Sequence, residues 1–329
     1  MDNLERKPFD MAAISAASED ELFYLVEQNP EEAEKITAPR YSYWRSVFRI
    51  FFRKKANIIC LVVLAIVLFM SYIFPSMVEY DLFAHVTEGI TWLSPKEAIS
   101  RFGFSLEWVL GTGPFGDSIF YGIWYAARTS LTLALTCGII NMTIGVVIGA
   151  LWGYNKRVDS ALNVIYNIIA NVPYILLISV LVYVIGSGFW PFVFALTITG
   201  WLGIAYFMRT QVIIIRDREY NLASRCLGTP MHRVVGKNVL PYLTSVIVTL
   251  LASDIPSYIS MEVFLSYIGI GLSSRVPSLG QMINNAQAGW MAYPWAFWSP
   301  VAVSAVITII LYVIGQNLAD ASDPRSHMK

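Results

Sequence analysis

Six apolar runs along the chain are long enough to cross a membrane, at about 57–75, 130–152, 164–186, 191–209, 243–268 and 295–317. A helix spanning the hydrocarbon core needs roughly 20 predominantly apolar residues, the length each run offers. Only Gly186 to Trp190, followed by Pro191, separates the third run from the fourth, which predicts a tight helical hairpin. A long segment, about 76–129, separates the first run from the second. Its last part, Asp117 to Arg128, holds Phe120, Tyr121, Trp124 and Tyr125 and reads as a helix lying in the outer interface. In the second run Gly145, Gly149 and Gly153 recur every fourth residue, a pattern of close helix packing. Residues 1–40 are polar and acidic and read as a solvated segment. The first apolar run begins only near Ala56, so membrane insertion is expected to use an internal anchor.

Basic residues orient these spans. With both ends inside, the inner segments hold 19 Lys and Arg and the outer segments 4: Lys96, Arg101, Arg128 and Arg275. Cytoplasmic loops carry the excess of positive charge, so both termini are cytoplasmic. Composition agrees with a membrane protein. Apolar residues make up 56 % and charged residues 14 %, with a mean hydropathy of +0.55, against about 25 % charge in ordinary soluble domains. The 23 basic and 23 acidic residues cancel, leaving no field that would gather nucleic acid.

Several motifs carry no chemistry. Gly111-Thr-Gly113-Pro-Phe-Gly116 spells a dinucleotide fingerprint, but no strand–helix–strand pattern surrounds it. No phosphate-binding G-x-x-x-x-G-K-[ST] loop exists, so any ATP must be bound by another chain. Asn141-Met-Thr143 matches a glycosylation acceptor but lies inside a span. His85, His232 and His327 are dispersed, as are Cys60, Cys137 and Cys226, which predicts no metal site, disulfide or catalytic triad.

The inner loop 209–241 is more informative. Glu219 to Leu227 predicts a short cytoplasmic helix, ended by Gly228 and Pro230; Met231 to Leu240 resumes a helix leading into the fifth span. Such a helix can dock in a partner's groove and transmit rigid-body motion, or it can be a plain surface hairpin. Within the membrane, Thr249, Ser253, Ser257 and Ser260 share one face of the fifth span, with Asp254 beside them and Glu262 roughly 12 Å further out. A carboxylate at this depth is expensive and must face water, a partner or a proton. In the third span Asn163, Asn167 and Asn171 form a second ladder. Asp254, Ser257, Glu262, Asn167 and Asn171 are therefore candidate residues of a translocation path, with interhelical hydrogen bonding as the alternative.

The spacing Ala223…Gly228…Leu240-Pro241 resembles the E-A-A-x-x-x-G-x(9)-I-x-L-P loop of bacterial ABC-importer permeases. Leu222 stands in place of its Glu, Ser224 of its second Ala and Asn238 of its Ile. Further stretches are similar to the C-type dipeptide and oligopeptide permeases: the basic lead-in from Arg45, Leu110-Gly-Thr112…Gly116, Ala127-Arg-Thr-Ser-Leu131, Glu262 to Gly271, Pro277 to Met282 and Asn317 to Arg325. Gly113, Asp117, Ser118 and Leu279 depart from the family's residues. The likeness runs over about 41–325 and is nearest the Ami/Opp oligopeptide permeases of Gram-positive bacteria.

The resemblance implies an all-α membrane protein of six transmembrane helices with the type I importer permease (MetI-like) fold. Its organisation would be a cytoplasmic tail (1–50), a first span with a long extracellular segment (51–128) and a core of five spans (129–325) containing the coupling loop. Glu219, Ala223, Arg225, Gly228, Leu240 and Pro241 would form the ATPase-coupling element. The chain would be a non-catalytic subunit in the bacterial cell membrane that imports oligopeptides by alternating access. Its partners would be a second permease, two ATPases holding ATP and magnesium, an extracellular solute-binding lipoprotein, the peptide and membrane lipid, but no nucleic acid; the chain itself would hold no cofactor or metal. The alternatives are the same fold importing a dipeptide, nickel or a metal chelate, and a proton-coupled carrier.

Overall fold

The computed structural model describes residues 43–83 and 89–323, and these form helices with no β-strand among the described residues. The acidic segment 1–40, His85, Pro324, Arg325 and His327 lie outside them. A short amphipathic helix, α1 (Tyr43–Arg53), precedes the first span, α2 (Lys55–Leu68), which runs on through a π turn (Phe69–Ile73) and a 3-10 turn (Phe74–Ser76). The outer segment contributes α3 (Pro95–Phe102), started by a capping box in which the Ser94 hydroxyl and the Glu97 side chain each accept from the other's backbone amide.

The second span is one helix of 36 residues, α4 (Ile119–Tyr154). At 1.5 Å per residue it is roughly 54 Å long, well beyond the roughly 30 Å of hydrocarbon. Asp117–Arg128 is therefore not a separate interfacial helix: from Ile119 it is the outward extension of α4, and a division at 128/129 falls inside that helix. Ring contacts hold the extension. Phe74 lies edge-on to Phe120 and Tyr121, and the Tyr125 hydroxyl sits 2.7 Å from the Pro75 and Val78 carbonyls.

Among the described residues, five helices are long and apolar enough to cross a membrane, or six if a bent pair at the expected third span is counted as one. That pair is α5 (Lys156–Ala170) and α6 (Tyr174–Ile185), bent by 78° at the break. Pro173 is the cause, since it has no N–H and disfavours helical backbone at the residue before it. The expected hairpin follows at Gly186, and the fourth span comprises α7 (Phe189–Thr197) and α8 (Trp201–Arg216). The cytoplasmic loop holds α9 (Glu219–Cys226) and α10 (Met231–Val234), continued by a π turn (Val235–Val239) and α11 (Leu240–Tyr242). The fifth and sixth spans are α12 (Thr244–Tyr267) and α14 (Pro294–Ser322), with the short α13 (Leu279–Ala286) between them on the outer side.

The closest packing is between α4 and α8. A Cβ on Gly145 would fall 2.7 Å from the Ile204 side chain, and one on Gly153 2.6 Å from the Arg209 carbonyl; at Gly149 it would meet the Ala205 carbonyl more closely still. Small residues every fourth position let the two backbones touch where lipid offers no hydrophobic drive to bring helices together. Gly149→Leu should therefore remove most folded protein from the membrane or lower the detergent melting temperature by many degrees, as overpacking against backbone costs about 1–3 kcal/mol or more. Gly203→Ala on α8, where a Cβ meets nothing within 4 Å, should melt at the parent temperature.

Candidate functional site

At the cytoplasmic end, α8 turns directly into α9. Asn221 makes this rigid: it is fully buried and its amide donates to the Ile215 carbonyl at 2.9 Å, tying α9 to the last turn of α8. Arg225 also turns inward, donating to the Arg216 carbonyl (2.9 Å) and the Asp217 carboxylate (3.0 Å), with its guanidinium 5.5 Å from the centre of the Tyr154 ring. The Arg225 hydrogen bond holds the Asp217 carboxyl below its ordinary range. Arg216 donates to the Gly153 carbonyl at 2.8 Å, so the ends of α4, α8 and α9 are joined.

The outward side of α9 is different. Tyr220 and Leu222 are exposed, and Leu227 is 86 % exposed at the tip. Gly228 turns the chain with φ of +74°, a backbone that β-branched residues adopt only with strain. The result is an ordered short helix with apolar side chains at its solvent end. Glu219 and Ala223 are exposed on it; Leu240 is half-buried where the chain re-enters the bundle, and Pro241 lies in a neighbouring cleft.

Two departures from the family's loop pattern meet here. The Asn238 side-chain amide donates to the Ser224 hydroxyl (3.2 Å) and to the side-chain Oδ1 of Asn221 (3.3 Å). Two polar residues thus replace an apolar pair and bond each other. A similar exchange occurs outside. The Asp117 carboxylate folds over Gly113, where a Cβ would lie 2.5 Å from it, and accepts from the Tyr80 hydroxyl at 3.1 Å. Burial pushes the Asp117 carboxyl up.

In the membrane the candidate residues separate. Ser253, Ser257 and Ser260 line a groove of about 620 Å³ together with Pro256, Thr308 and Tyr312. Asp254 is a third of a turn away, half-buried, 3.5 Å from the Tyr258 hydroxyl, which in turn accepts from the Asn141 amide of α4 at 2.6 Å. Glu262 has no exposure at all. It accepts from Ser130 of α4 (2.7 Å) and Ser266 (3.0 Å), and the Ser278 side chain and Gly280 amide also face it. Ser130 in turn accepts from the Leu279 amide at 3.1 Å. This is an internal clamp joining α4, α12 and α13, and Glu262 does not line the groove. Asn167 and Asn171 are exposed near the end of α5, where the Asn171 amide donates to the Asn167 carbonyl, and neither reaches the groove.

Thus Ser257 is in the groove, Asp254 behind it, and Glu262, Asn167 and Asn171 elsewhere. Asn221, Asn238, Leu227 and Ser130 were not foreseen. Asn221 and Asn238 are 17 apart and belong to different elements, so no local periodicity links them. If the polar pair substitutes for the family's apolar one, Asn238→Ile and Ser224→Ala are each destabilising alone, and the double variant recovers roughly 1 kcal/mol relative to their sum. A thermal-unfolding double-mutant cycle on the purified protein measures this; strict additivity would contradict it.

Comparison with known proteins places this geometry. Residues 142–327 match the family described as binding-protein-dependent transport system inner membrane component, and residues 42–91 match the N-terminal TM domain of oligopeptide transport permease C. The oligopeptide transport system permease protein AmiD of Streptococcus pneumoniae is 41 % identical over 93 % of this chain and 98 % of its own length. The dipeptide transport system permease protein DppC of Bacillus subtilis is 30 % identical over 93 % of both. In an inward-facing crystal structure of the MetNI methionine ABC transporter, one chain shares the fold with a TM-score of 0.52 at 18 % identity, over 62 % of this chain and 97 % of that one. The chain belongs to the binding-protein-dependent transport system inner membrane component family, with the MetI-like permease fold of ABC importers.

Proposed function

We propose that this inner-membrane chain is one permease of an oligopeptide importer and that α9 is its point of attachment to an ATPase. The observation that carries the attachment is the construction of α9: a buried, hydrogen-bonded base continuous with α8 and an apolar tip with Leu227 86 % exposed. The similarity to AmiD across nearly all of both chains supports oligopeptide as cargo. A dipeptide is the second reading, supported by the likeness to DppC. Membership of a transport-system family sets the carrier alternative aside.

The partners would be a second permease, two ATPases that hold ATP and magnesium, and an extracellular solute-binding lipoprotein. Closure of the ATPase pair would push on α9. Because α9 is bonded to α8 and α8 touches α4 backbone to backbone, the push moves these elements as one body. The wall of the path would be the hydroxyl-bearing face of α12, with Ser253, Ser257 and Ser260 along the groove. Asp254 stands behind this wall, where its charge can act on a passing ammonium group without lining the groove.

Gly228→Val tests the attachment. A Cβ there meets nothing within 4 Å, so the penalty is conformational alone, roughly 1–2 kcal/mol. The variant should remain in the membrane, yet lose co-purifying ATPase and peptide uptake; Gly228→Asn, which tolerates left-handed backbone, should retain most of both. Full uptake by the Val variant would refute the role given to this turn. For the path, Asp254→Asn should assemble normally and transport basic peptides more slowly than neutral ones; equal rates for both, at the parent level, would assign Asp254 to helix packing alone.

A further inference from the structure

Helix α1 has three faces at four-residue spacing. Val47 and Phe51 are buried against Ala321, and the Tyr43 hydroxyl donates to the Ser322 carbonyl at 2.7 Å, so this face is fastened to the cytoplasmic end of α14. Trp44, Phe48 and Phe52 form a second row, each about half exposed, with successive ring centres 6.4 and 6.5 Å apart. Arg45, Arg49 and Arg53 form a third, all exposed, and none makes an ion pair or hydrogen bond with another side chain among the described residues. The helix contains no acidic residue.

The described residues leave about half of each ring in the aromatic row uncovered, and fastening by the first face prevents the row from turning inward. Its position fixes what it meets. The backbone becomes extended at Lys54, and α2 enters the membrane at the next residue, Lys55. The excess of basic residues puts this end of α2 on the cytoplasmic side. A helix here, pinned sideways to the foot of α14, lies at the boundary between headgroups and acyl chains. Aromatic residues favour that depth, and arginines along their border reach the phosphates.

We propose that α1 is a binding site for anionic phospholipid of the cytoplasmic leaflet, with Trp44, Phe48 and Phe52 among the upper acyl carbons and Arg45, Arg49 and Arg53 on the headgroups. Charge complementarity selects a membrane surface over a protein groove. Three guanidinium groups, unpaired among the described residues, stand in one row beside the aromatic stripe. Lys54 is occupied separately, donating to Asn317 at 2.7 Å and lying 3.8 Å from Asp320. The site thereby couples lipid charge to the seat of the sixth span.

The test uses the transporter purified with its accompanying subunits and reconstituted in vesicles of phosphatidylcholine and phosphatidylglycerol at 7:3. A spin label on Phe48→Cys, with Cys60, Cys137 and Cys226 changed to Ala, should be accessible to oxygen and shielded from a water-soluble nickel complex. Phosphatidylglycerol retained through purification should fall about tenfold or more in the Arg45→Gln/Arg49→Gln/Arg53→Gln variant, and stay near the parent level in the corresponding triple Lys variant. A label shielded from both reagents would mean a protein covers α1, and one open to the nickel complex would mean water does. Either result, or unchanged phosphatidylglycerol in the Gln variant, overturns the proposal. None depends on which solute is carried.

Discussion

The close approach of α4 and α8 is the constraint on which the rest of the molecule depends. Gly145, Gly149 and Gly153 bring the backbones together, and the contact ends where Arg216 takes the Gly153 carbonyl. From there the chain passes without slack into α9, whose buried Asn221 holds the last turn of α8. The cytoplasmic tip is therefore joined to the α4–α8 contact by the chain itself and by the Asn221 hydrogen bond. Packed elements of this kind move as units.

A second fixed point lies towards the outside. Glu262 would be costly in the membrane if its charge were left unpartnered. Its oxygens instead receive hydroxyls from α4 and α12 and face Ser278 and Gly280 at the start of α13. Gly280 fits against Ser266 so closely that a Cβ would lie 2.6 Å from the serine Cβ. Two motifs separated in the sequence, Glu262 to Gly271 and Pro277 to Met282, are thereby halves of one structure. Between this clamp and the α4–α8 contact, the hydroxyl face of α12 is left open as a groove.

Departures from the family's residues come in compensating sets. Ser224 and Asn238 stand where the pattern has two apolar residues, and they bond each other. Gly113 gives up a side chain where Asp117 returns one, its carboxylate folding into the vacated volume beneath the Tyr80 hydroxyl. Each change alone would strand a polar group or create a clash. Together they preserve the local packing with different chemistry.

The apolar runs, the short helix at Glu219 and the turn at Gly228 were legible from the sequence, because hydrophobic length and glycine or proline punctuation are local signals. So was the reason for three glycines at four-residue spacing. The length of α4 was hidden: Arg128 and the aromatics before it look like the edge of a span, whereas Phe74, Tyr80 and Tyr125 carry the helix past the membrane. The 78° bend was written at Pro173, but the direction of the break depends on what packs around it. The two carboxylates of α12 were visible as residues and not as roles. Both sit on one helix, two turns apart, yet Glu262 is clamped by serines from three elements while Asp254 reaches Asn141 through Tyr258. Partners of that kind come from distant parts of the chain, and only their meeting in three dimensions decides whether a carboxylate within a helix is clamped on all sides or left half-buried beside a groove.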